Sequence, residues 1–129
     1  MKNTTTDTAI HNAFIIDDER DICFLLSSLL KQKEIVSECA HTLQQAEKAL
    51  QGKDPEIIFL DNHLPDGLGV NYIKQLKREH PYSKIVMVTA HDTPSDREKA
   101  IGQGADFFMG KPFSRDMINK VVDNFSGHN

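Results

Sequence analysis

The chain alternates between short runs that are apolar throughout and longer runs with an apolar residue every three or four positions. Asn12-Ala-Phe-Ile-Ile-Asp17 is short and β-branched, as a buried strand is, and Asp21 to Lys33 then carries Ile22, Leu25, Leu26, Leu29 and Leu30 at helical spacing. The same alternation recurs to the end. A weak strand is predicted near Ile35–Cys39, with a helix over Leu43–Leu50. After the break at Pro55 come a strand over Glu56–Leu60, a turn at Pro65–Gly67 and a helix carrying Val70, Ile73 and Leu76. The strand Lys84–Thr89 precedes a helix starting after Pro94. A last strand, Asp106–Met109, precedes a helix with Ile118, Val121, Val122 and Phe125. Residues 1–11 are polar and Thr-rich and are expected to form a mobile tail, with 12–126 as the folded domain and 127–129 as a C-terminal tail.

Strands that are apolar on both faces and separated by helices imply an α/β protein, a doubly wound five-stranded parallel sheet with right-handed crossovers. In such sheets ligands sit outside the carboxyl ends of the strands. The sequence puts Asp17, Asp18 and Glu19 at the end of the first strand, Asp61 after the third, Thr89 at the end of the fourth, and Gly110-Lys111-Pro112 after the fifth. Crowded carboxylates raise one another's pKa unless a cation neutralises them. Helix capping, worth about 1 kcal/mol, accounts for Asp18 alone. Asp61 directly follows Ile58-Phe59-Leu60 and begins neither a helix nor an Asp-Gly turn. A hard divalent ion, Mg²⁺ by preference, suits this oxygen-rich set. With Lys111 and the Thr89 hydroxyl beside Asp61, the group is suited to a phosphoryl group arriving at or leaving a carboxylate oxygen.

Composition narrows this picture. The 129 residues, 39% hydrophobic and 26% charged, fit one domain. With 15 basic and 19 acidic side chains, the net charge of −4 argues against direct nucleic-acid binding. No apolar run approaches the roughly 20 residues of a membrane span and no signal segment opens the chain, so a cytoplasmic protein without membrane contact is expected. Cys23 and Cys39 form no CxxC motif and are expected as plain core or half-buried thiols. His11, His41, His80 and His128 are scattered with no HxxxH pair, so zinc is not expected. Gly67-Leu-Gly69 lacks the third glycine of a dinucleotide fingerprint, and no P-loop occurs. In the stretch 61–67, Pro65 and the late Gly67 break the calcium-loop pattern.

Four segments, FIIDDE at Phe14–Glu19, FLDNHLPDGLG at Phe59–Gly69, VMVTAHD at Val86–Asp92 and GADFFMGKPF at Gly104–Phe113, occur in one order. Over Asn12–Phe125 the chain thereby resembles the receiver domain of two-component response regulators, including the single-domain chemotaxis regulator. The resemblance implies a flavodoxin-like receiver fold with strand order 2-1-3-4-5. It implies that Asp61 accepts a phosphoryl group from a histidine kinase or a histidine phosphotransfer protein. It implies Mg²⁺ held by Asp18, Asp61 and the backbone carbonyl of His63, with Asp17 acting through water. Thr89 and Lys111 would hold the phosphoryl group, Pro112 would follow a cis bond, and Thr89 and Phe108 would form the switch. Such a domain is not an enzyme beyond assisting its own phosphorylation and slow autodephosphorylation. It signals to a downstream effector protein as a monomer or weak dimer.

Some positions depart from the usual pattern. Phe108 replaces a frequent tyrosine, Asn62 stands where an apolar residue is usual, and His63 and His91 resemble the variable pair flanking the phosphoryl group. An aspartyl-phosphate hydrolase of the haloacid-dehalogenase type would carry a second aspartate where His63 stands. A pseudo-receiver that only binds partners is the alternative reading, but acceptor, acidic pair and lysine are all present. A stand-alone regulator and a receiver from a larger DNA-binding regulator or hybrid kinase both remain open. The helix after Pro94 has only Ala100 and Ile101 as anchors and contains Gly102, so it is expected to be the most movable.

Overall fold

The computed structural model describes residues 9–126, and each predicted strand–helix pair forms in it. β1 (Asn12–Ile16) leads into α1 (Arg20–Gln32), and β2 (Val36–Ala40) leads into α2 (Leu43–Leu50). β3 (Ile57–Asp61) is followed by a small antiparallel hairpin, β4 (His63–Leu64) with β5 (Gly67–Leu68). A 3₁₀ turn at Gly69–Tyr72 then enters α3 (Ile73–Glu79). β6 (Lys84–Thr89) precedes α4 (Pro94–Gln103), and β7 (Phe107–Gly110) precedes α5 (Arg115–Phe125). The main sheet is parallel throughout and ordered β2-β1-β3-β6-β7, which is 2-1-3-4-5 when its strands alone are counted. The fold is the flavodoxin-like receiver fold. The hairpin was not anticipated, because the sequence indicated only the turn at Pro65–Gly67.

Period-2 alternation along the strands sorts the core onto two faces. Ile58 and Leu60 of β3 join Phe14, Ile16, Ile85 and Met87 beneath α2, α3 and α4, where Leu50, Ile73, Leu76 and Ala100 cover them. Ile57 and Phe59 join Ile15, Val86 and Val88 on the other face, covered by Leu26 and Leu30 of α1 and by Ile118, Val121 and Val122 of α5. A side chain of this size stabilises the fold by about 1.5–3 kcal/mol when fully buried. The central position of β3 therefore fixes firmly whatever stands at its end.

Local signals set several helix starts. Thr42, Thr93 and Ser114 each accept, through the side chain, a backbone N–H three residues on. Asp66, in the hairpin turn, caps α2 from a distance by accepting from the amides of Leu43 and Gln44, both at 2.9 Å. Those two bonds hold its carboxyl below the usual range.

Residues 1–8 of the expected tail, and all of 127–129, lie outside the described residues. At the near end of the tail, Ile10 is buried in the core, and the amide of His11 donates to Glu56 Oε1 at 2.6 Å. Cys23 and Cys39, expected as thiols, are joined in a disulfide. The reason is helix phase: α1 turns Cys23 toward the end of β2, and the Cα atoms come to 6.4 Å, within the span a disulfide bridges. Among the described residues no helix is long and apolar enough to cross a membrane.

Candidate functional site at the carboxyl edge of the sheet

The strand ends assemble one pocket. Asp61 is the last residue of β3, and Asp17 directly follows β1, its amide held by the carbonyl of Ala40 at 3.0 Å. Thr89 ends β6, and its carbonyl accepts the amide of Lys111 at 2.8 Å, which ties the segment after β7 to the same edge. The Lys111–Pro112 peptide is cis.

Lys111 lies at the centre. Its Nζ is 2.8 Å from Asp17 Oδ2, 3.1 Å from Glu19 Oε1 and 3.5 Å from Asp61 Oδ1. Asp17, Asp61 and Thr89 are buried, whereas Asp18 and Glu19 are exposed. Four carboxylates, of which Asp17 and Asp61 are buried, accompany one ammonium and leave a surplus of negative charge. Burial, then the neighbouring charge of Asp17, pushes the Asp61 carboxyl up to about 7 against the pull of Lys111. Burial likewise raises Asp17, although Lys111 and the Glu19 amide, at 2.9 Å, oppose it. For Lys111, burial alone would lower the pKa, but its carboxylate partners outweigh it and the ammonium is held charged. Such a pocket fits a cation with oxygen ligands: Asp17, Asp18 and Glu19 each offer a carboxylate oxygen within 4.8 Å of the others.

On the other flank of Asp61 the packing is looser. The Thr89 hydroxyl accepts the His91 amide at 3.2 Å. Beside it lies a pocket of about 260 Å³, lined among others by Met87, Thr89, Ala100 and Phe108. Phe108 is turned inward and buried, and Arg97 of α4 lies 4.8 Å from its ring centroid. That guanidinium also donates to the Phe108 carbonyl at 3.3 Å and to Asp92 at 2.8 Å. His63 and His91 stand exposed at the rim with ring centroids 4.4 Å apart.

Four residues contribute in ways the sequence did not assign: Asn62 and Glu19, which it marked without these contacts, and Gly69 and Arg97. Asn62 closes the hairpin after Asp61: its backbone carbonyl accepts from Gly69 at 2.7 Å and its side chain accepts from Val70 at 2.9 Å. Gly69 is required there, since a Cβ would collide with the carbonyl oxygen of Asp61. Arg97 had no signal in the sequence at all. Glu19 did have one, as the third acid of the DDE run, but its bond to Lys111 depends on how α1 begins.

A parallel α/β domain with a buried aspartate, an ammonium and a hydroxyl at the carboxyl edge defines a receiver-type module. Residues 13–123 match the family model of the Response regulator receiver domain, and the chain belongs to that family, whose members serve as signalling modules. The nitrogen assimilation regulatory protein NtrX of Azorhizobium caulinodans is 32% identical over 115 residues, covering 88% of this chain and 25% of the relative. The chain spans about a quarter of the length of the curated relatives it matches. The beryllofluoride-activated NtrC4 receiver domain dimer is 33% identical, with a TM-score of 0.83 over 88% of this chain and 94% of that one. A response regulator from Burkholderia pseudomallei, solved with a phosphorylated aspartic acid, a calcium ion and citrate, has a TM-score of 0.82 at 24% identity. It covers 90% of this chain and 68% of that one, and at this identity it attests the fold.

Proposed function

We propose that Asp61 is the phosphoryl acceptor of this receiver, charged by a phosphohistidine on a histidine kinase or phosphotransfer protein, and that the phosphorylated form signals to an effector protein. The observation that carries the reading is the buried Asp61 carboxylate at the end of the central strand, with Lys111 Nζ 3.5 Å away. A carboxylate oxygen of Asp61 attacks phosphorus as the phosphorus–nitrogen bond of the donor breaks, and the departing imidazole takes up a proton. Lys111 offsets negative charge on the transferring oxygens, and the Thr89 hydroxyl donates to one of them. Burial keeps bulk water from competing as the nucleophile. Asp18, Asp61 and the His63 carbonyl would hold Mg²⁺, with Asp17 acting through water; the ion supplies the positive charge that lets a carboxylate with a pKa near 7 act as an anion.

Phosphorylation biases two packings of the α4 flank. Thr89 turns toward the phosphoryl oxygen, and the pocket it leaves admits a shift of Phe108 and of α4, whose one buried residue is Ala100. Incubation with Mg²⁺ and acetyl phosphate, read by intact mass, should add one phosphoryl group to the wild type and none to Asp61→Asn. No added mass in the wild type would refute the proposal.

A further inference from the structure

Behind the acidic pocket, on the backbone side of Asp17, three softer ligands converge. Cys39 and His41 stand two residues apart at the end of the edge strand β2, and Cys23 faces them from α1. A sulfur or ring nitrogen from each lies within 4.8 Å of the others. The separation between Cys23 Sγ and His41 Nδ1 is 3.9 Å. We propose that, once a thiol or phosphine reductant has delivered two electrons to the disulfide and two protons have been taken up to give two thiols, Cys23, Cys39 and His41 form a Zn²⁺ site.

The argument rests on ligand type and spacing. Two thiolates and one imidazole select zinc over the hard cations that the acidic pocket suits. Zinc–sulfur bonds of about 2.3 Å and zinc–nitrogen bonds of about 2.0–2.1 Å at tetrahedral angles put sulfur and nitrogen about 3.6 Å apart. The Cys23–His41 edge is therefore nearly in place, and the main movement is separation of the two sulfurs. Cys39 is exposed, which provides an entry path, whereas Cys23 is buried. Disulfide and ion exclude each other. Zn²⁺ displaces one proton from each thiol, and ligation by Nδ1 requires the proton of His41 to sit on Nε2.

That last requirement links the site to the phosphorylation pocket. In the disulfide form His41 Nδ1 donates to the Asp17 carbonyl at 2.9 Å, and the metal takes that nitrogen away. The backbone carbonyl of Asp17 is then free to find water or to serve as the fourth ligand.

The test uses the full chain, reduced with a phosphine that ends as its oxide, freed of reductant under anaerobic conditions and titrated with Co²⁺ in the presence of Mg²⁺. The expected result is a thiolate-to-cobalt charge-transfer band that saturates at one ion per chain and is bleached by Zn²⁺. Cys39→Ser and His41→Ala should each weaken binding at least about tenfold, or 1.4 kcal/mol, with circular dichroism confirming their fold. Asp18→Asn should leave the band intact, which separates this site from the acidic pocket. Absence of the band in a chain whose two thiols titrate as free, or a band unaffected by His41→Ala, overturns the proposal.

Discussion

The two flanks of Asp61 are built differently. Toward Lys111 the neighbours are charged and tied: one buried ammonium meets carboxylates from the ends of β1 and β3 and from the start of α1. Toward Thr89 the neighbours are a hydroxyl, an apolar ring, a pocket of about 260 Å³ and a helix with a single buried residue. Under the proposed function, the difference separates two tasks. Chemistry needs fixed charges, since a displaced ammonium stabilises nothing, while a switch needs a neighbour that can occupy two positions at similar free energy.

Removing the charge from the tied flank should have the largest effect. Lys111→Ala leaves buried carboxylates without their cation, and loss of one partner of a buried pair costs about 3–5 kcal/mol. Urea unfolding near pH 8 without divalent ions should show a loss of that order, shrinking toward pH 5 as carboxyls in the pocket take up protons. An unchanged midpoint at pH 8 would mean that the ammonium does not stabilise this flank.

Asp61→Asn moves stability the other way. The Asp61 carboxyl is raised from 3.8 to about 7 by burial and by Asp17, so the folded chain retains a proton there that the unfolded chain has lost. Wild-type stability therefore falls as pH rises from about 4 through 7, and the amide escapes that loss. The variant should be more stable than wild type by on the order of 4 kcal/mol at pH 8, converging with it near pH 4. Added Mg²⁺ should narrow the gap at pH 8 by stabilising the wild type. A gap independent of pH would place its origin outside the carboxyl.

What the sequence revealed and what it hid follow the same division. Strand ends are readable because a buried strand is a continuous apolar run and its carboxyl terminus is where polarity returns. Asp17, Asp61, Thr89 and Lys111 therefore meet on one edge, as expected. Contacts made by helices depend on phase, and phase at a helix start is uncertain by a residue or two. That is why Glu19 reaching Lys111, Arg97 lying against Phe108, and Cys23 turning to Cys39 were all missed. In the sequence Asn62 is merely unusual, because its work, holding the amides of Gly69 and Val70, belongs to a hairpin too short to leave a periodic signal.

The looser flank can be tuned in both directions by small changes to α4 that touch neither Asp61 nor Lys111. Thr93 caps the helix by accepting the Asp96 amide at 3.1 Å, and Thr93→Ala should destabilise it by about 1 kcal/mol. Gly102 sits in the last turn with open space where a Cβ would be, so Gly102→Ala should stabilise the helix by about 0.5–1 kcal/mol. Both variants should take up phosphoryl from acetyl phosphate at the wild-type rate, because the charged flank is untouched. Amide chemical-shift changes across Ala100–Phe108 on phosphorylation should grow in Thr93→Ala and shrink in Gly102→Ala, since the second packing is reached by loosening α4 and is opposed by stiffening it. If instead both variants altered the uptake rate and left the shift changes alone, chemistry and switching would share one set of contacts, and the division between the flanks would be wrong.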